Sequence, residues 1–205
     1  MKRIALVFML LTFILGGVKA QDFIEKYHSE AFNRDFKIEV SAKYSDYEGS
    51  DSQGAGKRIY LEVYSLDYDK SAYIELDKEQ ALEFVKMLKF RGRTFVGWKN
   101  NGEQNGYKTY FKIVEQRYKA TLYFDEFDKT MDADRIGKAV DQEFYIEYFY
   151  NRRKKEARMF LRGGKTNDMR LGSSYQLSGW SMIFLNPDKE IEDLQNLVKK
   201  AIEKL

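Results

Sequence analysis

Chemistry in this chain must be sought among carboxylates, arginines and aromatic rings, because its 205 residues include no cysteine and one histidine. The spacing closest to a metal loop is Asp132-Ala133-Asp134-Arg135-Ile136-Gly137, with Glu143 at the twelfth place. A calcium loop sets oxygens at positions 1, 3 and 5, a glycine at 6 and a bidentate Glu at 12, between two helices. Here Ile136 fills the fifth place without a side-chain oxygen, and strands are expected on both sides. The stretch is therefore read as a solvated acidic connection, and no metal ligand or cofactor is assigned. The lone His28 stands near an N-terminal stretch read as loose, which gives a histidine-dependent triad no seat. Gly179-Trp180-Ser181 lacks the spacing of a nucleophile elbow, and no glycine-rich phosphate loop precedes a helix. No catalytic residue is assigned.

Two other patterns point to binding. From Asn151 to Arg170 the bases Arg152, Arg153, Lys154, Lys155, Arg158, Arg162, Lys165 and Arg170 face only Glu156 and Asp168. A hairpin so charged can hold an acidic partner such as an anionic polysaccharide, a lipid headgroup or a nucleic acid. It can equally keep an aromatic sheet soluble and its edges unpaired, which is the preferred reading, with the acidic stretch from Asp125 to Glu147 beside it. Aromatic rings also fall on strand positions that should be polar, at Tyr60, Tyr64, Tyr145, Phe149 and Phe160. They make either a stacking platform for sugars or bases, or a second buried face beneath a helix or another sheet, and core is preferred. The candidate binding surface that follows is Tyr60, Tyr64, Tyr145 and Phe149 with Arg152, Arg153, Lys154 and Lys155.

The elements that would carry these residues are mostly strands. Alternation with period two marks Phe36 to Ala42, Ile59 to Tyr64 and Ala72 to Leu76. Further strands are expected at Thr94 to Trp98, Tyr107 to Glu115, Lys119 to Phe124, Gln142 to Tyr150, Ala157 to Leu161, and Tyr175 to Leu185 with a break at Gly179. Connections are expected at the Gly/Ser loop Tyr47 to Gly56, at Asp67-Tyr68-Asp69, and at hairpins Asn100-Asn101-Gly102, Asn105-Gly106, Asn151 to Lys154 and Gly163-Gly164-Lys165. One helix begins at the capping box Asp77/Gln80, carries Ala81, Phe84, Val85 and Leu88 on one face, and is expected to stop at Gly92. A second runs from Pro187 to near Leu205, capped by Asn186 and striped by Ile191, Leu194, Leu197, Val198, Ala201 and Ile202. Hairpins without strand-helix-strand units define an α+β class, mainly antiparallel. Tyr73 to Glu79 and Met182 to Glu190 share a strand-cap-helix junction, which reads either as a duplicated strands-then-helix unit or as two instances of a common connection.

Lys2 and Arg3 lead into an apolar-rich run from Ile4 to Leu15, with Val18 and Ala20 where a signal peptidase requires small residues. Residues 1–20 are read as a signal peptide cleaved after Ala20, leaving 21–205 as a single domain, periplasmic or extracellular and without a membrane span. Cleavage removes Lys2, Arg3 and Lys19, three of 35 bases and none of 32 acids, so the mature chain has equal numbers of both signs. A neutral protein has no global field to gather a polyanion, which counts against nucleic acid as a partner.

The stretch Tyr73-Ile74-Glu75-Leu76-Asp77-Lys78-Glu79-Gln80-Ala81-Leu82, with Met159 to Gly164 and Leu185 to Leu205, resembles a group of uncharacterised bacterial α+β proteins. In that group an acidic strand-to-helix turn precedes a Leu-rich helix, and a Lys-rich helix closes the chain; the resemblance implies no activity or site. The repeated strands-then-helix order is also similar, in topology, to single-stranded nucleic-acid binders of the whirly and PUR-alpha type. The function expected is a non-enzymatic binding or interaction module of the cell envelope, whose partner is an envelope protein, a glycan or an anionic polymer. The alternatives are a small carboxylate-dependent hydrolase acting on envelope or dietary polymers, and a whirly-like nucleic-acid binder.

Overall fold

The computed structural model describes residues 23–42, 56–65, 69–106, 109–128, 133–167 and 176–205. Residues 1–20, read from the sequence as a signal peptide, most of the Gly/Ser loop, Asp67, Tyr68, Asp132, Asp168 and Arg170 lie outside them. The chain is α+β, with strands β1 (Phe23–Ser29), β2 (Arg34–Ser41), β3 (Arg58–Ser65) and β4 (Lys70–Leu76) leading into helix α1 (Lys78–Gln104). Strands β5 (Thr109–Asp128), β6 (Ala133–Asn151), β7 (Glu156–Asn167) and β8 (Gln176–Phe184) then lead into helix α2 (Pro187–Ile202). Four strands and a helix thus occur twice.

All eight strands form one antiparallel meander in chain order, and Tyr64 of β3 also pairs with Ser181 of β8, so the sheet curls into a barrel-like form. One face carries the core: Phe36, Ile38 and Val40 of β2, Ile59, Leu61 and Val63 of β3, Phe144, Ile146 and Tyr148 of β6, and Trp180, Met182 and Phe184 of β8 are all buried with the helices. The helices cross over between halves. α2 packs on β1 and β2 as well as on its neighbour β8, and α1 packs on β6 and β7 as well as on β3 and β4.

Three elements differ from the sequence expectation. The helix that should stop at Gly92 continues to Gln104, so Thr94 to Trp98 is helical and Asn100-Asn101-Gly102 makes no hairpin. Gly92 is a point of helix contact: a Cβ there would lie 2.8 Å from Ile191 Cδ1 of α2. Beyond it the apolar stripe resumes, with Phe95 edge-on and Trp98 tilted to the Tyr148 ring at centroid distances of 5.3 and 5.4 Å. Second, Gly163-Gly164-Lys165 lies inside β7, where Gly163 has φ +149 and a Cβ would sit 2.2 Å from Glu143 O of β6. Glycine lets two backbones approach there and does not turn the chain. Third, the N-terminal stretch is an ordered edge strand, β1, and the two strands expected between Tyr107 and Phe124 are one, β5. Register shifts between Ile113 and Arg117 and between Ala120 and Leu122 break the alternation that sequence periodicity depends on. Gly179 takes φ +87 within β8 without ending it.

Candidate functional site

The face of the sheet turned away from the helices holds the predicted aromatic residues, in two separate places. On β3 the Tyr60 ring is fully buried, edge-on to Tyr123 at 5.9 Å, and its hydroxyl donates to Glu75 Oε2 at 3.2 Å. Tyr60 therefore belongs to a small second core, and its assignment to a binding surface is corrected. Tyr64 is half-buried, with Arg34 over its ring at 4.3 Å and Phe32 edge-on at 5.4 Å. Its hydroxyl donates to Asp69, which holds the phenol above its ordinary value. Beside it, buried Glu62 accepts from Arg34 Nη2 at 3.0 Å, from the Lys37 amide at 2.9 Å and from Ser71 Oγ at 2.5 Å. Those bonds satisfy both carboxylate oxygens, so the cluster clamps β2, β3 and β4 together.

The second place is the outer face of β5 to β8. Tyr145, Glu147 and Phe149 alternate outward on β6 with the buried Phe144, Ile146 and Tyr148. Across the strands, Arg117 of β5 and Arg162 of β7 flank Tyr145, Phe160 stands opposite Glu147, and Arg158 stands opposite Phe149. Arg117 lies 5.5 Å from the Tyr145 ring and Arg162 lies 4.7 Å from the Phe160 ring, which is itself buried. Tyr145 and Phe149 are half-exposed. Each arginine has an acid: Arg117 and Glu143 at 3.7 Å, Arg162 and Glu147 at 3.8 Å, and Arg158 with Glu156. The face is thus aromatic and charge-paired, whereas the unbalanced positive charge sits at the β6–β7 turn, where Arg152, Arg153, Lys154 and Lys155 are all exposed. In that turn Arg152 Nη1 donates to Gly106 O at 3.3 Å, and Lys155 takes φ 51.

The predicted surface is therefore brought together only in part: Tyr145 and Phe149 share a face that ends at the basic turn, and Tyr64 belongs to the other cluster. Sequence reading missed Arg117, Glu147 and Arg162 as neighbours of those rings, because strand register determines who stands opposite whom. The Asp132 spacing makes no loop from Ala133 onward, since Ala133–Asn151 is one extended strand that holds Gly137 and Glu143 far apart. Among the described residues no group of three or more His, Asp or Glu could hold a metal ion, and no helix is long and apolar enough to cross a membrane.

A groove of about 290 Å³ lies between the helices, floored by Gly92, Pro187 and Ile191. Among the described residues the carboxylates that line it are Asp188 and Glu192, one turn apart on α2, with Lys89 and Arg93 on the α1 side and Lys199 further along α2. Both signs of charge therefore line the groove. Compared with protein-family models, with curated proteins and with solved structures, the chain matches none. The resemblances drawn from the sequence gain nothing from those comparisons.

Proposed function

We propose that the protein is a non-enzymatic binding module of the cell envelope, exported by its leader, that takes a glycan on the outer face of β5 to β8. The observation that carries this reading is the pair of half-exposed rings, Tyr145 and Phe149, set among charge-paired Arg and Glu side chains. A sugar offers an apolar ring face to an aromatic residue and hydroxyls to carboxylates and guanidinium groups, and this face supplies all three. Four residues of strand separate the two rings, about 13 Å, a span that a chain of linked sugars bridges and a single sugar does not. A polyanion such as single-stranded nucleic acid is served less well, because Glu143, Glu147 and Glu156 already neutralise the arginines.

The test is a screen of envelope and dietary glycans by affinity electrophoresis, followed by Tyr145→Ala and Phe149→Ala. Each variant should weaken binding by roughly fivefold or more, about 1 kcal/mol, and the glycan should be recovered uncleaved. Retention of single-stranded DNA at low salt with no retention of any glycan would transfer the proposal to the whirly-type reading. Cleaved glycan would support the hydrolase.

A further inference from the structure

The outward ridge of α1 is unlike the rest of the surface. Between Glu83 and Glu103 the helix has no acid, and it carries Lys86, Lys89, Arg91, Arg93 and Lys99. Phe90 stands in the middle of this stretch with 59% of its surface exposed. Lys86 lies four residues before it and Arg93 three after, so both share its side of the helix, and both are exposed. No ion pair engages Lys86, Lys89 or Arg93 among the described residues. Leu82, 47% exposed, stands one turn before Lys86. The face of α1 opposite Phe90 is buried, with Ala81, Leu88 and Phe95, and its flank is held to the sheet: Tyr118 Oη donates to Gln80 O at 3.1 Å and Tyr148 Oη to Arg91 O at 2.8 Å.

Exposed apolar residues are common singly and need no explanation. This one is a large ring on an exposed helix face, flanked by Lys86 and Arg93; no acid of α1 lies between Glu83 and Glu103, and the acids of α2 that come near, Asp188 and Glu192, share a groove with Lys89 and Arg93 and not with Lys86. A protein partner that buries a ring offers a pocket, and its recognition needs a matching concave surface. A bilayer interface takes a ring from an exposed helix face directly, at the level of the acyl boundary, while long lysine and arginine side chains reach back to anionic headgroups. We infer that the α1 ridge around Phe90 docks the protein on an anionic lipid bilayer. Because α1 covers the inner face of β6, the ridge and the Tyr145–Phe149 face point in opposite directions, and the two surfaces can be occupied together.

The protein purified from secreting cells, with its N-terminus determined by mass spectrometry, is the material for the test. In Phe90→Trp, brominated lipid in vesicles of phosphatidylglycerol and phosphatidylcholine should quench the fluorescence added by the substitution, which reports on position 90 irrespective of any other membrane contact. Phosphatidylcholine alone should leave it unquenched, and Lys86→Glu with Arg93→Glu should reduce vesicle binding at least tenfold at low salt. The inference is overturned if position 90 stays unquenched in anionic vesicles, or if Phe90→Ala and the charge reversals bind them like the parent. Capture by immobilised polyglutamate with no vesicle binding would overturn it too, and would point to an acidic protein.

Discussion

Glu190 shows how a residue that looks like surface decoration in the sequence can be a buried fastener. As one of several acids at the start of α2 it reads as a complement to the helix dipole. In the fold its Oε2 accepts from the Asn186 amide at 2.6 Å and its Oε1 from Tyr27 Oη at 3.1 Å, so it caps α2 from within and joins the helix to β1. The Asn186 side chain, expected to be the cap, makes no such bond. Burial raises the Glu190 carboxyl above its ordinary 4.5, against the hydrogen bonds that lower it. The Tyr27 hydroxyl is held far above its usual range, by burial first and the Glu190 charge second, and stays a donor. A raised acid takes up its proton in the folded state before the unfolded one. Its contribution is fully favourable below the ordinary value and is lost as pH rises through the folded value. Glu190→Gln, which keeps the shape and one acceptor oxygen for the Asn186 amide and turns an NH2 donor toward Tyr27 Oη, whose hydroxyl can accept it, should therefore match or exceed the parent in Tm near pH 7, with an advantage that shrinks toward pH 4.5. A Tm difference independent of pH over that range would contradict the assignment. Burial of this kind was not legible in sequence, nor was that of Tyr60: both depend on what lies across a strand or beneath a helix.

At the scale of elements, the strands with clean alternation, β2, β3 and β4, and both helix starts were legible, because each is specified by its own residues. What failed was punctuation by glycine. Gly92 reads as a stop, Gly163 as a turn and Gly179 as a break, yet the first two are places where another chain segment presses close and the third takes φ +87 inside an unbroken strand. Their meaning lies in tertiary contacts that no local pattern records. The same reasoning separates the glycines experimentally. Gly163→Ala meets Glu143 O and the Phe144 Cα from a backbone at φ +149, and should cost about 3 kcal/mol or more, or abolish folding. Gly97 sits within α1, and a Cβ added there would meet nothing within 4 Å, so Gly97→Ala should stabilise by about 0.5–1 kcal/mol through helix propensity alone. Urea midpoints of the two variants should move in opposite directions. At Gly92 the neighbour is the end of the Ile191 side chain, which can turn aside, so Gly92→Ala should be mild while Gly92→Leu should cost several kcal/mol by separating the helices.

For the whole molecule, repetition of four strands and a helix invites the idea of two units that fold alone, and the packing argues otherwise. α2 belongs by sequence to the second half, but it packs on α1 and on β1 and β2 of the first more than on β8 of its own, and Lys200 reaches Glu25 of β1 at 3.5 Å. α1 belongs to the first half, but Phe95 and Trp98 close over Tyr148 of the second, and Gln195 Nε2 of α2 donates to Val85 O within the helix pair at 2.8 Å. The two sheets are also continuous, since Ala72 to Glu75 of β4 pair with Phe124 to Thr121 of β5. A half on its own would leave one apolar sheet face without its helix and one helix stripe without its sheet, and burial per residue falls steeply for chains so short. A cut between Gly106 and Thr109, in the connection from α1 to β5, should therefore give fragments that lack a cooperative thermal transition separately and regain one when refolded together at equimolar concentration. Circular dichroism melts of each fragment and of the mixture decide the matter. A cooperative melt from the fragment ending at Gly106 alone would mean that β1 to β4 and α1 form a self-sufficient core, and that the exchange of helices between halves is not what holds the fold.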